Sequence, residues 1–486
     1  MKAMSLPALM ALLVYAPAGV ADGSLMELLT LAKDHDAQYQ AALAEREAGE
    51  EAYPQARSVV LPTLSAGAAY NRVERDVRAT PFSDRPTQGG GGGAGGAPGP
   101  TAPFSDRFDS QTWNVELRQP LFNWAIPATL SQGRAQADVA YLTYRAEYKL
   151  LIHRCATYYL QFLAVADRLR FSRAERKALA EDLETAQVRY EVGETAVTGL
   201  REAQAAFDLA ETRVIEAERE LNEQREELAR LTGHWYMDLP SLVEQMPLDL
   251  PRPDTAEGWI DLANEKNSRI LIAREQEEIA EDEISRRKSA FLPDLDLVAS
   301  VSDTDQEDFV YGSASRDKAL GVEATWTPFA GGRSLSELRE SRARYRASLA
   351  NRDVEVRDVH ILVRNSFNLV RSSIRRVNAL DKALESANTA LEATEAGFEV
   401  GERTQADVLA ARRNRYQALT DRAEARYQYL SAVLNLKLYA GVLGEADLAQ
   451  LDRALIGPEL PSTPEEPAAT DRVPAGASAP VDSQKG

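Results

Sequence analysis

Four histidines, His35, His153, His234 and His360, and a single cysteine, Cys155, are the side chains of this sequence best suited to bind a metal or attack a substrate. Their spacing serves neither purpose. None sits in a His-Glu-x-x-His pattern, and His153 and Cys155, two residues apart on a helix, point to different faces. There is no Gly-x-Ser-x-Gly elbow, and Ser, His and acid residues form no recognisable catalytic set. Glycines 89–93, 95 and 96 have the composition of a phosphate loop, but no Lys-Ser or Lys-Thr follows and no helix opens behind them, so the tract reads as a flexible linker. Cys155 has no partner for an intrachain disulfide and, inside a helical pattern, reads as a small buried hydrophobe. Neither an enzyme nor a metal or cofactor site is expected. The remaining chemistry is electrostatic. A net charge of −19 argues against nucleic acid, which needs a basic face, and suits a solvated surface or a cation-preferring conduit.

The elements that position these charges occur twice. Leu61-Pro62 recurs as Leu292-Pro293, and the same spacing carries Leu31-Ala32 onto Leu262-Ala263. Further on, Glu191-Val192-Gly193-Glu194 recurs as Glu399-Val400-Gly401-Glu402, and Gly233 falls on Gly441. A long internal repeat fixes the architecture before any motif is weighed. The expected organisation is a cleaved signal over 1–21, a first repeat over 22–233, a connector over 234–254, a second repeat over 255–444 and a flexible, proline-rich tail over 445–486. The signal reading rests on Met1-Lys2, a short apolar run to Val20, and small residues before Asp22.

Each repeat reads as a helix, two strands, a very long helix, a tip turn and a returning helix. The opening helix spans Met26 to Arg57, with Pro54 expected to kink or end it. Strands are expected at about 61–72, 111–120, 291–302 and 318–327 from alternation of apolar and polar residues, as in Leu295, Leu297, Ala299 and Val301 against Asp294, Asp296 and Ser300. Two readings fit strands with one polar face. Either a solvent-faced sheet packs on the helices, or the apolar face meets lipid and the polar face lines water, with Tyr70, Trp113, Phe122, Trp124, Phe291, Trp326 and Phe329 girding the edges. Four strands are too few to close a membrane barrel, which takes about eight, so the second reading requires several chains.

From Ile126 to Tyr190 the pattern is helical, a rod of roughly 100 Å at ~1.5 Å per residue. The returning helix of the first repeat carries Leu200, Ala203, Phe207, Ala210, Val214, Ala217 and Leu221 at heptad spacing. Its counterpart carries two stripes, one through Tyr416, Ala423, Tyr427 and Leu434, the other through Val408, Ala425, Tyr429 and Leu436. Two seams on one helix imply neighbours on both sides, as in a closed ring or an antiparallel bundle. Tip turns are expected at 191–199 and 399–405.

Gly23 to Tyr70, Tyr190 to Gly233 and Phe398 to Gly441 resemble the TolC family of outer-membrane efflux and secretion channels, most tellingly in Glu395 to Leu409 paired with the tip at Val192-Gly193. The resemblance implies a fold that is mainly α with β: a trimeric outer-membrane β-barrel, four strands per chain, continued by a long periplasmic α-helical barrel. It also implies a Gram-negative outer membrane and its lipid, a periplasmic adaptor protein, and an inner-membrane transporter of ABC, RND or MFS type, with the channel as passive exit duct. By the same resemblance Asp407, Arg403 and Thr198 belong to a periplasmic gate, while Gly193, Glu194, Thr195, Gly401, Glu402 and Thr404 form the tips where an adaptor docks. Gate positions also depart from the family pattern. Ala410 stands for a second aspartate, Gly199 for an acceptor and Phe398 for a donating tyrosine, and Glu395 faces Asp182, a pair expected to repel unless water, a cation or a protonation intervenes. The rival reading is a soluble periplasmic adaptor or scaffold, which also combines helical hairpins with β structure but carries one hairpin where this chain has two.

Overall fold

The computed structural model describes residues 23–77, 104–194, 196–243, 247–306, 313–453 and 455–456. The expected signal, the glycine tract and the tail beyond 456 lie outside them. Both repeats open with an 11-residue helix, α1 (Leu25–His35) and α6 (Ala256–Lys266). The first continues through α2 (Ala37–Glu50), α3 (Ala52–Ser58), β1 (Thr63–Val77), β2 (Phe104–Phe122), α4 (Ala125–Glu191) and α5 (Val197–Thr232). The second continues through α7 (Ser268–Ser289), β4 (Asp294–Gln306), β5 (Ser313–Thr325), α8 (Arg333–Glu399) and α9 (Gln405–Tyr439). The tail expected to be flexible from 445 is ordered at its start: α10 (Glu445–Asp452) buries Leu448 and Leu451 in the first repeat's core, and β6 (Leu455–Ile456) pairs with β3 (Ser241–Leu242), which lies between the repeats.

The single opening helix expected over 26–57 is three helices. Asp36 accepts a 2.7 Å bond from the Tyr39 amide and so starts a new helix where the old one stops. Asn267, at the matching place, caps α7 through the amides of Arg269 and Ile270. Pro54 falls in the first turn of α3, where its missing N–H leaves no bond unmade, and does not end the helix.

The sheet is antiparallel throughout, in the order β1-β2-β4-β5. Its register puts Leu64, Ala66, Val115, Leu117, Leu297, Leu320 and Val322 on one face and Ser65, Asn114, Glu116, Asp296, Ser300 and Glu323 on the other. The apolar face is uncovered: Leu64 is 72% and Leu320 76% exposed. At their far ends the strands extend past the apolar alternation, because cross-strand ion pairs continue the ladder. Arg72 meets Asp109 at 2.9 Å, Arg107 meets Glu74 at 2.8 Å, and Arg316 meets Asp303 at 2.7 Å.

The two 67-residue helices α4 and α8 run the length of the helical part. Near the sheet the row is α3, α4, α7, α8; away from it the row is α5, α4, α9, α8. The core is itself repeated. Leu151, Cys155, Tyr159 and Phe162 of α4 have Val359, Val363, Phe367 and Val370 of α8 as their counterparts, and Leu28 and Ala32 of α1 have Trp259 and Ala263 of α6. Helix α9 joins both cores: Ala423, Tyr427 and Leu434 enter the first, while Tyr429, Ala432 and Leu436 enter the second. These are the two stripes read from its sequence.

The returning helices end at Gly233 (φ 73°) and near Gly441 (φ 72°), both left-handed and both against the end of their repeat's first helix. A Cβ on Gly441 would lie 2.3 Å from the Lys266 carbonyl oxygen, whereas one on Gly401, with φ 82°, would meet nothing within 4 Å. Gly441→Ala therefore combines left-handed strain with a backbone clash and costs about 2–4 kcal/mol, against roughly 1 kcal/mol for Gly401→Ala. Thermal melting of the two detergent-solubilised variants tests this: the Gly441 variant melts lower.

Candidate functional site

The tips of the two hairpins share one backbone geometry. In the first, Gly193 (φ 82°) donates its amide to the Tyr190 carbonyl at 3.0 Å and Glu194 to Arg189 at 2.8 Å. In the second, Gly401 (φ 82°) donates to Phe398 at 3.1 Å and Glu402 to Gly397 at 2.8 Å. A left-handed glycine lets a long helix stop within one turn and the chain reverse. Val192, Glu194, Val400 and Glu402 are left exposed. Thr195 lies outside the described residues. Thr198 and Gly199 belong to the first turn of α5, past the turn itself.

Asp407 lies in the first turn of α9 and Thr404 caps that helix. The Asp407 amide donates to Thr404 Oγ1 at 3.3 Å, and the Thr404 amide and hydroxyl donate to Asp407 Oδ2 at 2.9 Å each. This reciprocal cap satisfies helix-end amides and holds the Asp407 carboxyl below the usual carboxylate range, chiefly through the Thr404 backbone bond. Within one chain its role is to start a helix. Arg403 is exposed, with its stem against Gly397. Among the described residues no hydrogen bond joins it to Thr198.

Between Glu395 and Asp182 stands a cation, one of the three things expected to relieve their repulsion, and it comes from a residue that sequence reasoning did not name. Arg412 of α9 stands between them, 2.8 Å from Asp182 Oδ2 on α4 and 2.6 Å from Glu395 Oε1 on α8. It also donates to the Ala178 carbonyl at 3.3 Å. Burial pushes the Asp182 carboxyl up, with Arg412 pulling it down and Glu395 adding to the rise. The signal was present: an arginine four residues after the buried Val408, on a helix seam, requires a partner. Phe398, unable to donate, receives the Arg189 guanidinium over its ring at 5.0 Å.

Farther up the α4–α9 seam the contacts between hairpins are also polar. Tyr416 donates to the Ala174 carbonyl at 3.3 Å, Arg168 grips Glu424 of α9 and Glu220 of α5, and Tyr427 donates to Asp167 at 2.8 Å. Each hairpin is fastened within itself, by Arg213 to the buried Glu175 in the first and by Arg422 to Asp381 in the second. The histidines are dispersed: His153 bonds Asn435 and His360 bonds Asn264, both at 2.8 Å, while His234 meets the Thr232 carbonyl at 3.1 Å and His35 packs against Gly233. Cys155 is buried, and burial pushes its thiol up to about 12. Removing the cap oxygen with Thr404→Ala is expected to speed amide hydrogen exchange at Gln405 to Val408 several-fold and leave Val197 to Leu200 unchanged, as read by mass spectrometry.

Residues 28–234 and 259–442 match the family model described as outer membrane efflux protein. The outer membrane protein TolC of Vibrio cholerae is 31% identical over 436 residues, covering 89% of this chain and 94% of that protein. The alkaline protease secretion protein AprF of Pseudomonas aeruginosa is 29% identical over 455 residues, covering 92% and 90%. Among solved structures, the CmeC outer membrane channel of Campylobacter jejuni superposes with a TM-score of 0.72 at 15% identity, covering 89% of each chain. The outer membrane protein VceC of Vibrio cholerae superposes with a TM-score of 0.70 at 18% identity, covering 86% and 96%. The solved structures share the fold, the family model and the Vibrio cholerae relative span most of the sequence, and the chain belongs to the outer membrane efflux protein family, the TolC-like channels of the Gram-negative outer membrane.

Proposed function

We propose that three copies of this chain close into one duct that carries substrates passively from the periplasmic side to the exterior. The observation that carries this reading is the sheet: its apolar face is uncovered, and among the described residues no strand pairs with the outer edge of β1 or of β5. In a membrane every backbone group needs a partner, so an open sheet must close. Three copies supply about twelve strands, enough for a barrel. The ends of the helix row need partners too, since Leu209 and Ile215 of α5 and Val354, Ile361 and Leu369 of α8 are exposed. The polar face then lines the lumen, where Arg118 meets Glu116, Asp296 and Glu323 at 3.3, 2.9 and 3.0 Å.

The duct serves a tripartite efflux pump or a type I secretion system. A periplasmic adaptor docks at the tips, around Gly193, Glu194, Thr195, Gly401, Glu402 and Thr404, and an inner-membrane transporter of ABC, RND or MFS type supplies the driving force. Three Asp407 carboxylates converging on one axis favour cations and give a polyvalent cation a place to block. Arg403 and Thr198 meet across protomers. A soluble scaffold would leave the sheet's apolar face and both its edges without cover.

Two measurements test the reading. Val322→Lys, on the apolar face, costs about 2–4 kcal/mol if it meets the middle of the bilayer and prevents recovery of the protein in outer-membrane extracts, whereas Ser300→Lys on the polar face is recovered normally. Asp407→Ala lowers cation preference and abolishes block by a trivalent metal ion in planar bilayers; unchanged selectivity and block would refute the role given to Asp407.

A further inference from the structure

We propose that Arg412 is the latch between the two hairpins: its cation holds α9 against α4, and its removal turns an attraction between hairpins into a repulsion. The proposal rests on the channel reading above and concerns how the duct is kept shut. Arg412 is a positioning residue, since it acts by fixing the hairpins and touches no cargo.

Helices α8 and α9 form one hairpin, joined by the Gly401 turn and by Arg422–Asp381 and Arg415–Asn388 contacts. Helices α4 and α5 form the other, joined by Arg213–Glu175 and Arg173–Glu218. Arg412 has one hand in each. Its Nη2 holds Glu395 of its own hairpin, while its Nη1 reaches Asp182 and the Ala178 carbonyl of the other. Its side chain is 17% exposed and that of Asp182 15%, so water screens this pair less than a surface pair.

A displacement of the α8–α9 hairpin keeps Arg412 with Glu395 and strips it from Asp182. The half-buried Asp182 carboxylate is then left without its cation until water reaches it, and this opposes opening. The planar guanidinium donates to Glu395 and to the Ala178 carbonyl while its charge lies against Asp182, a combination that the single ammonium of lysine does not reproduce. Without the arginine the sign reverses. Asp182 and Glu395 lie against the same guanidinium, 2.8 and 2.6 Å from it, close enough that Glu395 pushes the Asp182 carboxyl up. With no cation between them, two like charges on opposite hairpins push the hairpins apart.

The sign reversal gives an order of effects that loss of packing does not. The readout is the open-to-closed ratio of single channels in planar bilayers, with assembly checked by circular dichroism and particle mass. Arg412→Ser raises this ratio on the order of tenfold, because it removes the attraction and exposes the repulsion. Asp182→Asn alone raises it less, since Arg412 keeps Glu395. Adding Asp182→Asn to Arg412→Ser closes the channel part of the way back, by removing one of the two repelling charges. Arg412→Lys lies between native and Ser. If Arg412→Ser does not assemble, the near-isosteric Asp182→Asn and the charge-preserving Arg412→Lys carry the test, and native behaviour in both overturns the latch. The latch is also overturned if Arg412→Ser gates like the native channel, or if the double variant is as open as the single. A native protein that forms no pore at all defeats the channel reading itself, whereas a native pore indifferent to Arg412 defeats the latch alone.

Discussion

Backbone groups along β1 and β5 govern what this chain must do. In hydrocarbon each unpaired N–H or C=O costs several kcal/mol, so a membrane sheet with two free edges has to find two more. The four strands place most of their apolar residues on one face, and ion pairs at Arg72–Asp109 and Arg316–Asp303 mark where that face gives way to charge. A single protomer solves neither problem, the open edges nor the exposed apolar face. Closure with further copies addresses both and also covers the apolar residues at the ends of the helix row.

The same logic separates what is permanent in the helices from what is switchable. The cores around α1, α4 and α5 and around α6, α8 and α9 are apolar, and their fully buried members, such as Tyr159 and Trp259, contribute about 1.5–3 kcal/mol each. The seam between hairpins changes character along its length. Near the roots Ala423, Tyr427 and Leu434 of α9 sit in the core of the other hairpin; toward the tips Tyr416, Arg412 and Phe398 make polar and cation–ring contacts. Water can replace a hydrogen bond or an ion pair, but it cannot replace apolar packing. The tip half keeps one apolar cluster across the seam, Leu409 of α9 with Leu179, Ala186, Ala203 and Ala210, against the larger core at the roots.

Repetition was legible in the sequence because equal spacing survives any divergence of side chains, as Leu61-Pro62 and Leu292-Pro293 show. The two stripes of α9 were legible because each keeps its own register and each found its own core. Helix boundaries were not. Asp36 looks like one more polar residue in a helical run, and its capping bond to Tyr39 exists only once the chain has turned. Strand ends were missed since alternation of apolar residues stops at the membrane boundary while hydrogen bonding does not. The cluster near the tips was half legible: family resemblance pointed to Glu395 and Asp182, and Arg412 on its helix seam called for a partner, yet which carboxylates it meets is decided only where three helices come together.

The four left-handed glycines of the hairpins complete a mechanical gradient. Gly233 and Gly441 close the roots with neighbours so near that no side chain fits, at His35 and at the Lys266 carbonyl, so each root is locked to its repeat's first helix. Gly193 and Gly401 turn the tips with the same left-handed geometry, and a Cβ on either would meet nothing within 4 Å. Identical backbone chemistry thus serves a fixed anchor at one end of each hairpin and an unencumbered turn at the other. A long helix held at its root transmits a small rotation there into a larger displacement at its far end. Contacts near the tip, where such a displacement would be largest, therefore resist it most, and the Arg412 cation shared between three helices is one of them.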